Sequence, residues 1–304
     1  MATISEFVTV DNISLSDLGV VLGKDSFKSL LQWSALKSVK TNDWAEYDGI
    51  EADLSNPTLD KRNVTLNFHA QGIDGYERFL QYLTRHSESY WTFYDLGVAL
   101  ALRVDANSLQ HVSKKWQSFS VTFVDDLPYH PVRAVTDSTA LGGGGFIIDD
   151  YPFDFFGVHI LDGTLEKLRQ VGKVKERLTV AENSRDGAVY DTGGAVMTAS
   201  NEISIKCLIR AVNMETCVNN YYALLNYIKR PNLRRIVVKS TLEILDCYYK
   251  SATCENVHLK LASGAAGIAF TIVFTVVGKG LLKIIGNDGA NEYLTDEQGV
   301  FLAP

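Results

Sequence analysis

Alternating apolar and polar positions predict short β-strands along most of the chain. Residues 64–68 (VTLNF) and 203–207 (ISIKC) each place every second side chain on one apolar face. Successive side chains of a strand point to opposite sides, so these runs predict strands with one face on a core. Apolar residues spaced three and four apart, at 76–83 and 221–228, predict one helix in each half of the chain.

The longest uncharged segment covers residues 261–277 (LASGAAGIAFTIVFTVV) between Lys260 and Lys279. A bilayer-spanning helix needs about 20 apolar residues, which is more than this segment provides. Its second half also alternates with a period of two, as a strand does. We therefore predict a buried strand here and no contact with a membrane.

The same order of elements occurs twice, which predicts an internal duplication. Each half has a glycine-led strand, a strand, an Asp-Gly loop, an alternating strand, one helix and three returning strands. The matched segments are 19–22 with 157–160, 36–40 with 174–178, 47–53 with 185–191, 64–68 with 203–207, 76–83 with 221–228, and 119–124 with 270–275.

These matches divide the chain into four parts. Residues 1–127 and 155–278 are predicted to form two domains of one kind. Residues 128–154 contain proline and the run Gly142 to Gly145, a composition typical of a linker. Residues 279–304 are predicted to add a C-terminal hairpin around the turn Asn287-Asp288-Gly289.

Composition and charge narrow the functional classes. The chain has 304 residues, 46% hydrophobic and 21% charged, with a formal net charge of -7. This composition is that of a globular protein, and the length favours two cores over one. A pI near 5.4 gives no long-range attraction for nucleic acid. The N-terminus lacks the basic and apolar regions of a signal peptide, so we expect synthesis to end in the cytosol.

No constellation of catalytic or metal-binding residues emerges from the sequence. The nucleophile elbow, the phosphate-binding loop and the zinc-protease motif are all missing, and the six histidines lie at no ligand spacing. The four cysteines, Cys207, Cys217, Cys247 and Cys254, form no CxxC pair and are predicted to be buried, reduced thiols. We therefore predict no catalytic residue, no cofactor, no metal and no enzymatic activity.

The Asp-Gly loop of each half is the candidate site. An ordinary β-turn explains the aspartate and glycine, but aromatic and charged neighbours together with many uncovered strand edges favour a contact with other subunits. The residues predicted to form oligomer interfaces are Trp44, Tyr47, Asp48 and Gly49 in the first half, and Arg185, Asp186, Gly187 and Tyr190 in the second.

The repeated unit resembles the tail-tube domain of long-tailed bacteriophages, especially the distal tail protein and the baseplate hub. The resemblance rests on Gly19-Val20, Asp48-Gly49, the strand at 62–66, the helix at 79–83 and the strand at 119–126, and the second half repeats this series. It implies a mainly β fold, a duplicated antiparallel β-sandwich or half-open barrel with a flanking helix per domain.

The same resemblance implies a structural virion protein in the phage tail, assembled in the cytoplasm of the bacterial host. Such a protein forms a ring around a DNA-wide channel, contacts other tail and baseplate proteins, and meets DNA only as passing cargo. Two units in one chain favour a trimer with pseudo-sixfold symmetry, and a hexamer stays open. Two further classes also stay open: a two-domain β-sandwich module that binds carbohydrate or a protein partner, and an enzyme without a recognisable motif.

Overall fold

The computed structural model shows a mainly β chain with four α-helices among the described residues, which confirms the predicted fold class. The described residues are 8–23, 25–111, 116–128, 130–136, 145–168, 172–176, 179–181, 183–184, 186–190, 196–241, 243–258, 265–281, 283–287, 292–295 and 301–302.

Among its described residues, the first half contains nine strands and two α-helices. They are β1 (Val8–Val10), β2 (Ile13–Ser14), β3 (Val20–Leu22), α1 (Ser26–Leu30), β4 (Thr41–Asn42), β5 (Glu51–Ala52), β6 (Arg62–Gln71), α2 (Gly72–Thr84), β7 (Ser89–Phe93), β8 (Val98–His111) and β9 (Trp116–Asp125).

The second half repeats this series and adds three strands. Its elements are β10 (Phe146–Ile148), β11 (Tyr151–Pro152), β12 (Val158–Ile160), α3 (Thr164–Leu168), β13 (Thr179–Val180), β14 (Val189–Tyr190), β15 (Asn201–Ala211), α4 (Met214–Ile228), β16 (Arg234–Val238), β17 (Glu243–His258), β18 (Ala266–Leu281), β19 (Lys283–Asn287), β20 (Glu292–Thr295) and β21 (Phe301–Leu302).

Two antiparallel seven-stranded sheets have the same strand order. Sheet I runs β2-β1-β7-β8-β9-β6-β3, and sheet II runs β11-β10-β16-β17-β18-β15-β12. The registers also agree, since Val64 pairs with Phe123 in sheet I and Ile203 pairs with Phe274 in sheet II. Even the irregularities correspond: β8 bulges after Val104, and β17 bulges after Tyr249.

Each sheet buries one face under a helix, at the two places where the spacing predicts one. Phe79 of α2 packs on Phe68 with ring centroids 4.9 Å apart, and both are fully buried. In sheet II, Tyr221 of α4 meets Phe270 at 4.9 Å. The start of α4 is fixed by Asn213, whose side chain accepts a hydrogen bond from the Thr216 amide at 2.8 Å.

The uncharged segment at 261–277 does supply a strand, since residues 266–277 lie within β18, which pairs with β17 and β15 in the interior of sheet II. Of the helices in the described part of the chain, none has the length and apolar character needed to cross a membrane. All four cysteines are buried and free. Burial raises the pKa of the Cys217 thiol to about 11, which keeps it protonated near neutral pH.

The stretch predicted as a linker contains ordered structure at both ends. Phe146–Ile148 form β10 and pair with β16, so they belong to sheet II. Residues 130–136 run between the halves, where Arg133 donates to the Gly97 carbonyl at 2.6 Å and to Asn219 Oδ1 at 2.7 Å. Gly142 to Gly144 lie outside the described residues. At the C-terminus, β19, β20 and β21 form a separate antiparallel sheet.

Candidate intersubunit interface

Each half extends a two-stranded arm that carries one Asp-Gly loop at its tip. Arm I comprises residues 35–60 and arm II residues 173–199. In arm I, Lys37 N–H donates to Thr58 at 2.9 Å. In arm II, Lys175 N–H donates to Met197 at 2.9 Å. The innermost pairs also match, Asn42 with Glu51 and Val180 with Val189, so the two tips are loops of equal length.

The tip of arm I docks on arm II at Thr198, near the end of that arm opposite its tip, which we call its base. The tip binds both backbone groups of this residue. Gly49 N–H donates to the Thr198 carbonyl at 2.8 Å. The Asp48 carboxylate accepts from Thr198 N–H at 2.6 Å and from Thr198 Oγ1 at 3.0 Å. These hydrogen bonds from Thr198 lower the pKa of Asp48, although its side chain is exposed. The tip is therefore held best when Asp48 is ionised.

The Lys175 side chain of arm II holds the same tip in place. Its ammonium donates to the Trp44 carbonyl at 2.7 Å and to the Gly49 carbonyl at 2.6 Å, and it pairs with Asp43 Oδ1 at 2.5 Å. The Lys175 side chain is only 7% exposed, whereas that of Asp43 is 60% exposed. Two carbonyls and one carboxylate thus replace the water that the buried ammonium has lost.

Residues 31–36, which we call the root of arm I, pair with sheet II at the edge of β17. Strand β16 covers this edge only as far as Cys247. Beyond it, Leu36 N–H donates to the Lys250 carbonyl at 2.8 Å. The Gln32 side chain acts as an additional peptide group, since it donates to Ala252 O at 2.5 Å and accepts from Cys254 N–H at 3.1 Å. The first half therefore covers the part of the β17 edge that β16 leaves open.

Buried aromatic rings join the two halves next to this edge. Trp33 stacks on His130 with centroids 3.8 Å apart and meets the edge of Tyr221 at 6.2 Å. The hydroxyls of Tyr221 and Tyr249 donate to the carbonyls of Leu31 and Ser34, at 2.9 and 2.7 Å. Burial, with the nearby cations Arg62 and Lys229, lowers the pKa of His130 to about 2, so this ring is neutral.

The aromatic residues of the arm I tip remain in solvent. Trp44 is 53% exposed and Tyr47 is 70% exposed. The Trp44 indole donates to Glu51 Oε2 at 3.3 Å. Of the predicted interface residues in this half, Asp48 and Gly49 thus contact the second half of the same chain, as does the Trp44 carbonyl, while the side chains of Trp44 and Tyr47 face outward.

The tip of arm II is exposed and has no docking partner among the described residues. Asp186 and Gly187 are exposed, and a β-carbon built on Gly187 would meet nothing within 4 Å. Tyr190 lies in β14, opposite Thr179. Arg185 lies outside the described residues. The predicted residues that the structure describes therefore lie on two separate arms, and no hydrogen bond or ring contact among the described residues joins the two tips.

Sequence reasoning missed the surfaces that receive the arm. Thr198, Lys175 and Gln32 carry most of the docking contacts, and none belongs to an aromatic or Asp-Gly motif. One signal was available, because the segments at 36–40 and 174–178 were matched as strands and the match aligns Lys37 with Lys175. What the alignment lacked was any indication that one arm rests on the other.

The face of sheet I opposite α2 is polar and carries little charge. Along the centre of β6 and β9 it presents Asn63, Thr65, Asn67, Ser118 and Thr122, together with His69. Thr65 and Thr122 hydrogen-bond at 3.1 Å across the two strands, and His69 Nδ1 lies 2.8 Å from Ser118 Oγ. The matching face of β15 in sheet II is charged, with Glu202, Lys206 and Arg210.

Comparison with solved structures gives a structural likeness. No protein-family model matches the chain, and no curated protein matches it. The fold and the docked arm define a mainly β protein in which two sheets of one strand order, each with a flanking helix, are joined by an arm. The chain is similar to the solved structure of the SPP1 Dit protein (gp 19.1), described as a paradigm of the hub adsorption apparatus in phages that infect Gram-positive bacteria. The two are 13% identical, the match covers 90% of this chain and 99% of that one, and the TM-score is 0.31.

Proposed function

We propose that this chain is a structural component of a bacteriophage tail or baseplate, a distal tail or hub protein. In this role it forms a ring around the DNA channel and joins the tail tube to the baseplate. The proposal rests on the tube-like pattern of the sequence, and one structural observation carries it. Arm I of the first half docks head to tail on the second half, which has the same strand order.

A head-to-tail contact between like units is what a ring requires. Such a contact uses different surfaces on its two sides, so it leaves one unused surface of each kind at the ends. Repetition of the contact closes into a ring when the rotation between units permits it. We infer that the halves of one chain are two neighbouring units of such a ring, which amounts to an internal duplication.

The number of chains follows from counting halves. Three copies supply six tube-like halves in a closed ring with pseudo-sixfold symmetry, and this trimer is our preferred assembly. A hexamer, in which only one half of each chain lines the channel, is the alternative. In both assemblies the protein belongs to the virion tail, is assembled in the host cytoplasm, and has a structural rather than a catalytic role.

The proposed relation to DNA is passive. The chain carries a formal net charge of -7, and the solvent face of β6 and β9 in sheet I offers hydroxyl and amide groups rather than cations. Binding to the phosphate backbone needs lysine and arginine side chains that displace counterions. We propose that this face looks toward the channel, where DNA passes as cargo without being held.

Two exposed aromatic residues favour a second candidate function. The side chains of Trp44 and Tyr47 are both exposed on one tip, where they offer aromatic surface to a sugar or a protein segment. A two-domain β-sandwich binding module would use them as its platform and would be monomeric. The ring proposal instead assigns them to a contact with another subunit or with a neighbouring tail protein.

The purified full-length chain distinguishes these functions. We expect negative-stain images to show rings with a central hole of at least about 20 Å, the width of a DNA duplex. Light scattering of the same sample should give the mass of three chains, or of six for the alternative assembly. A monomer without rings at all protein concentrations would contradict the proposal and favour the binding module.

A further inference from the structure

We propose that arm II docks on the first half of a second copy of the chain and repeats there the contact that arm I makes within the chain. This inference rests on the proposed ring and names the surfaces that build it. The occupant is a second copy because the chain itself already contains one example of the contact. Both partner surfaces of the repeated contact are present and unused, as the following comparisons show.

The hydrogen bonds within each arm show which residues of arm I and arm II occupy equivalent positions. Asp60 N–H donates to Ala35 at 2.8 Å, and Ala199 N–H donates to Lys173 at 2.7 Å. Leu36 therefore corresponds to Val174, and Leu59 corresponds to Thr198, in agreement with the two isolated bridges of the arms. At the tips, the equal loop lengths make Gly187 the counterpart of Gly49.

The root of arm II has the features of an interface that lacks its partner. Leu36 packs against the core and its N–H is bound to sheet II. Val174, its counterpart, is 61% exposed, and its N–H has no acceptor among the described residues. The helix that precedes each arm shows the same difference in burial. Phe27 of α1 is 2% exposed, whereas Leu165, at the same place in α3, is 39% exposed.

The base of arm I offers the receiving surface for a tip. Thr198 receives the arm I tip through its N–H and its carbonyl, both of which point away from the paired strand of arm II. Leu59 pairs in the same manner in arm I, so its N–H and carbonyl also point outward. Neither group has a partner among the described residues. Lys37 occupies the place of Lys175 and is exposed.

Sheet I also has the uncovered strand edge that the root of an arm needs. Strand β7 covers β8 only as far as Leu102, just as β16 covers β17 only as far as Cys247. After the bulge that both strands share, Asp105 stands where Lys250 accepts the arm I root. Residues 105–107 are exposed, and in the described structure no strand covers their outer edge.

A tyrosine completes the correspondence on the helix. Asn220 of α4 touches Gly157, and Gly75 of α2 touches Gly19, so Tyr76 corresponds to Tyr221. Tyr221 donates its hydroxyl to the arm I root at Leu31. The Tyr76 hydroxyl has no partner among the described residues, and Tyr76 is half-buried. The same donor is thus present on the helix over sheet I, where the Tyr76 ring packs 4.9 Å from that of Phe119.

Pairs of introduced cysteines test this contact directly. The Asp48 and Thr198 side chains approach to 3.0 Å, so Asp48→Cys with Thr198→Cys should close a disulfide within one chain. The corresponding pair is Asp186→Cys with Leu59→Cys. Under mild oxidation we expect this variant to form disulfide-linked multimers on a denaturing gel, whose ladder ends at the number of chains in the ring. The four native cysteines are buried, so the unmodified chain serves as the background control.

Mixing experiments and imaging separate a failure of the proposed contact from a failure of the proposed ring. A mixture of the Asp186→Cys chain with the Leu59→Cys chain should give a linked dimer, and neither chain alone should do so in comparable yield. The inference is overturned if the Asp48–Thr198 pair closes while the Asp186–Leu59 pair forms no link between chains, even where images of the unmodified protein show rings. Links between chains that build open filaments without a central hole would support this contact and contradict the ring function instead.

Discussion

Gly49 lies so close to the carbonyl oxygen of Val277 that a β-carbon at position 49 would stand 1.9 Å from that oxygen. The contact joins the arm I tip to the end of sheet II, and it requires glycine twice, since the φ of Gly49 is +70°. Gly187, at the same place in arm II, has a φ of +81°, but a β-carbon built there would meet none of the described residues within 4 Å. The two glycines therefore share one backbone requirement and differ in packing.

We expect Gly49→Ala to destabilise the protein by about 3 kcal/mol or more. About 1 kcal/mol of this is due to the left-handed backbone, and about 2 kcal/mol or more is due to displacement of the tip. Gly187→Ala, the matched control, should cost only the backbone share, about 1 kcal/mol. Urea unfolding of both variants measures the difference. Equal losses for the two variants would mean that the tip is not docked in solution.

Replacement of Lys175 by methionine should release the arm I tip. The variant loses charge-assisted hydrogen bonds to two carbonyls, an interaction of about 1.5 to 3 kcal/mol, so the open state should become about 10 to 100 times more populated. Chymotrypsin cleavage after Trp44 and Tyr47 reports this opening. Lys173→Met removes an exposed lysine two residues away and should leave the cleavage rate unchanged.

His130 should make the protein sensitive to moderate acid. Its pKa is about 2 in the folded chain and about 6.5 when unfolded, so below pH 6.5 only the unfolded chain gains a proton there. This contribution to stability is complete above pH 6.5 and decreases by about 1.4 kcal/mol per pH unit as the pH falls toward 2.

The variant His130→Phe keeps a ring on Trp33 and removes the titrating group. We expect its free energy of unfolding, measured in urea between pH 7 and pH 5, to fall less steeply than that of the unmodified chain. His86→Phe, which changes an exposed histidine, should keep the original slope. A slope that is unaffected by His130→Phe would show that the ring is not held neutral by burial.

Trp44 and Tyr47 are predicted to contact another subunit. Simultaneous replacement of both by alanine should weaken assembly by about 2 kcal/mol or more, which is a loss of roughly 30-fold in association constant. Light scattering across a dilution series measures the change in mass. The control replaces Tyr90 and Tyr94, which are 56% and 58% exposed and lie outside the arms. An unchanged oligomer in the first variant would remove these two residues from the interface.

The sequence predicts the central strands and long helices well because their patterns are local. The alternation at 64–68 and 203–207 reflects burial of one strand face, and the spacing at 76–83 and 221–228 reflects one helical stripe. Short edge strands are different. Val8–Val10 and Phe146–Ile148 are three residues long, and only their pairing with β7 and β16 makes them strands.

The candidate site was predictable only in part. The Asp-Gly tips were visible because glycine at positive φ leaves a local signature. The docking of one tip was not, since Thr198 contributes mainly its backbone, and backbone groups carry no sequence signal. Gln32 is a similar case: its role as an additional peptide group depends on the open edge of β17, more than 200 residues away.

The docking of arm I within the chain also affects how fast an assembly of chains can form. Two linked partners meet at an effective concentration set by their connection, often in the millimolar range, rather than at the concentration of free chains. A chain that contains two units therefore completes half of the unit contacts of a ring before it meets another chain. In the proposed trimer, three such chains need two encounters instead of the five that six separate units would need, and each incoming chain arrives with one contact already formed.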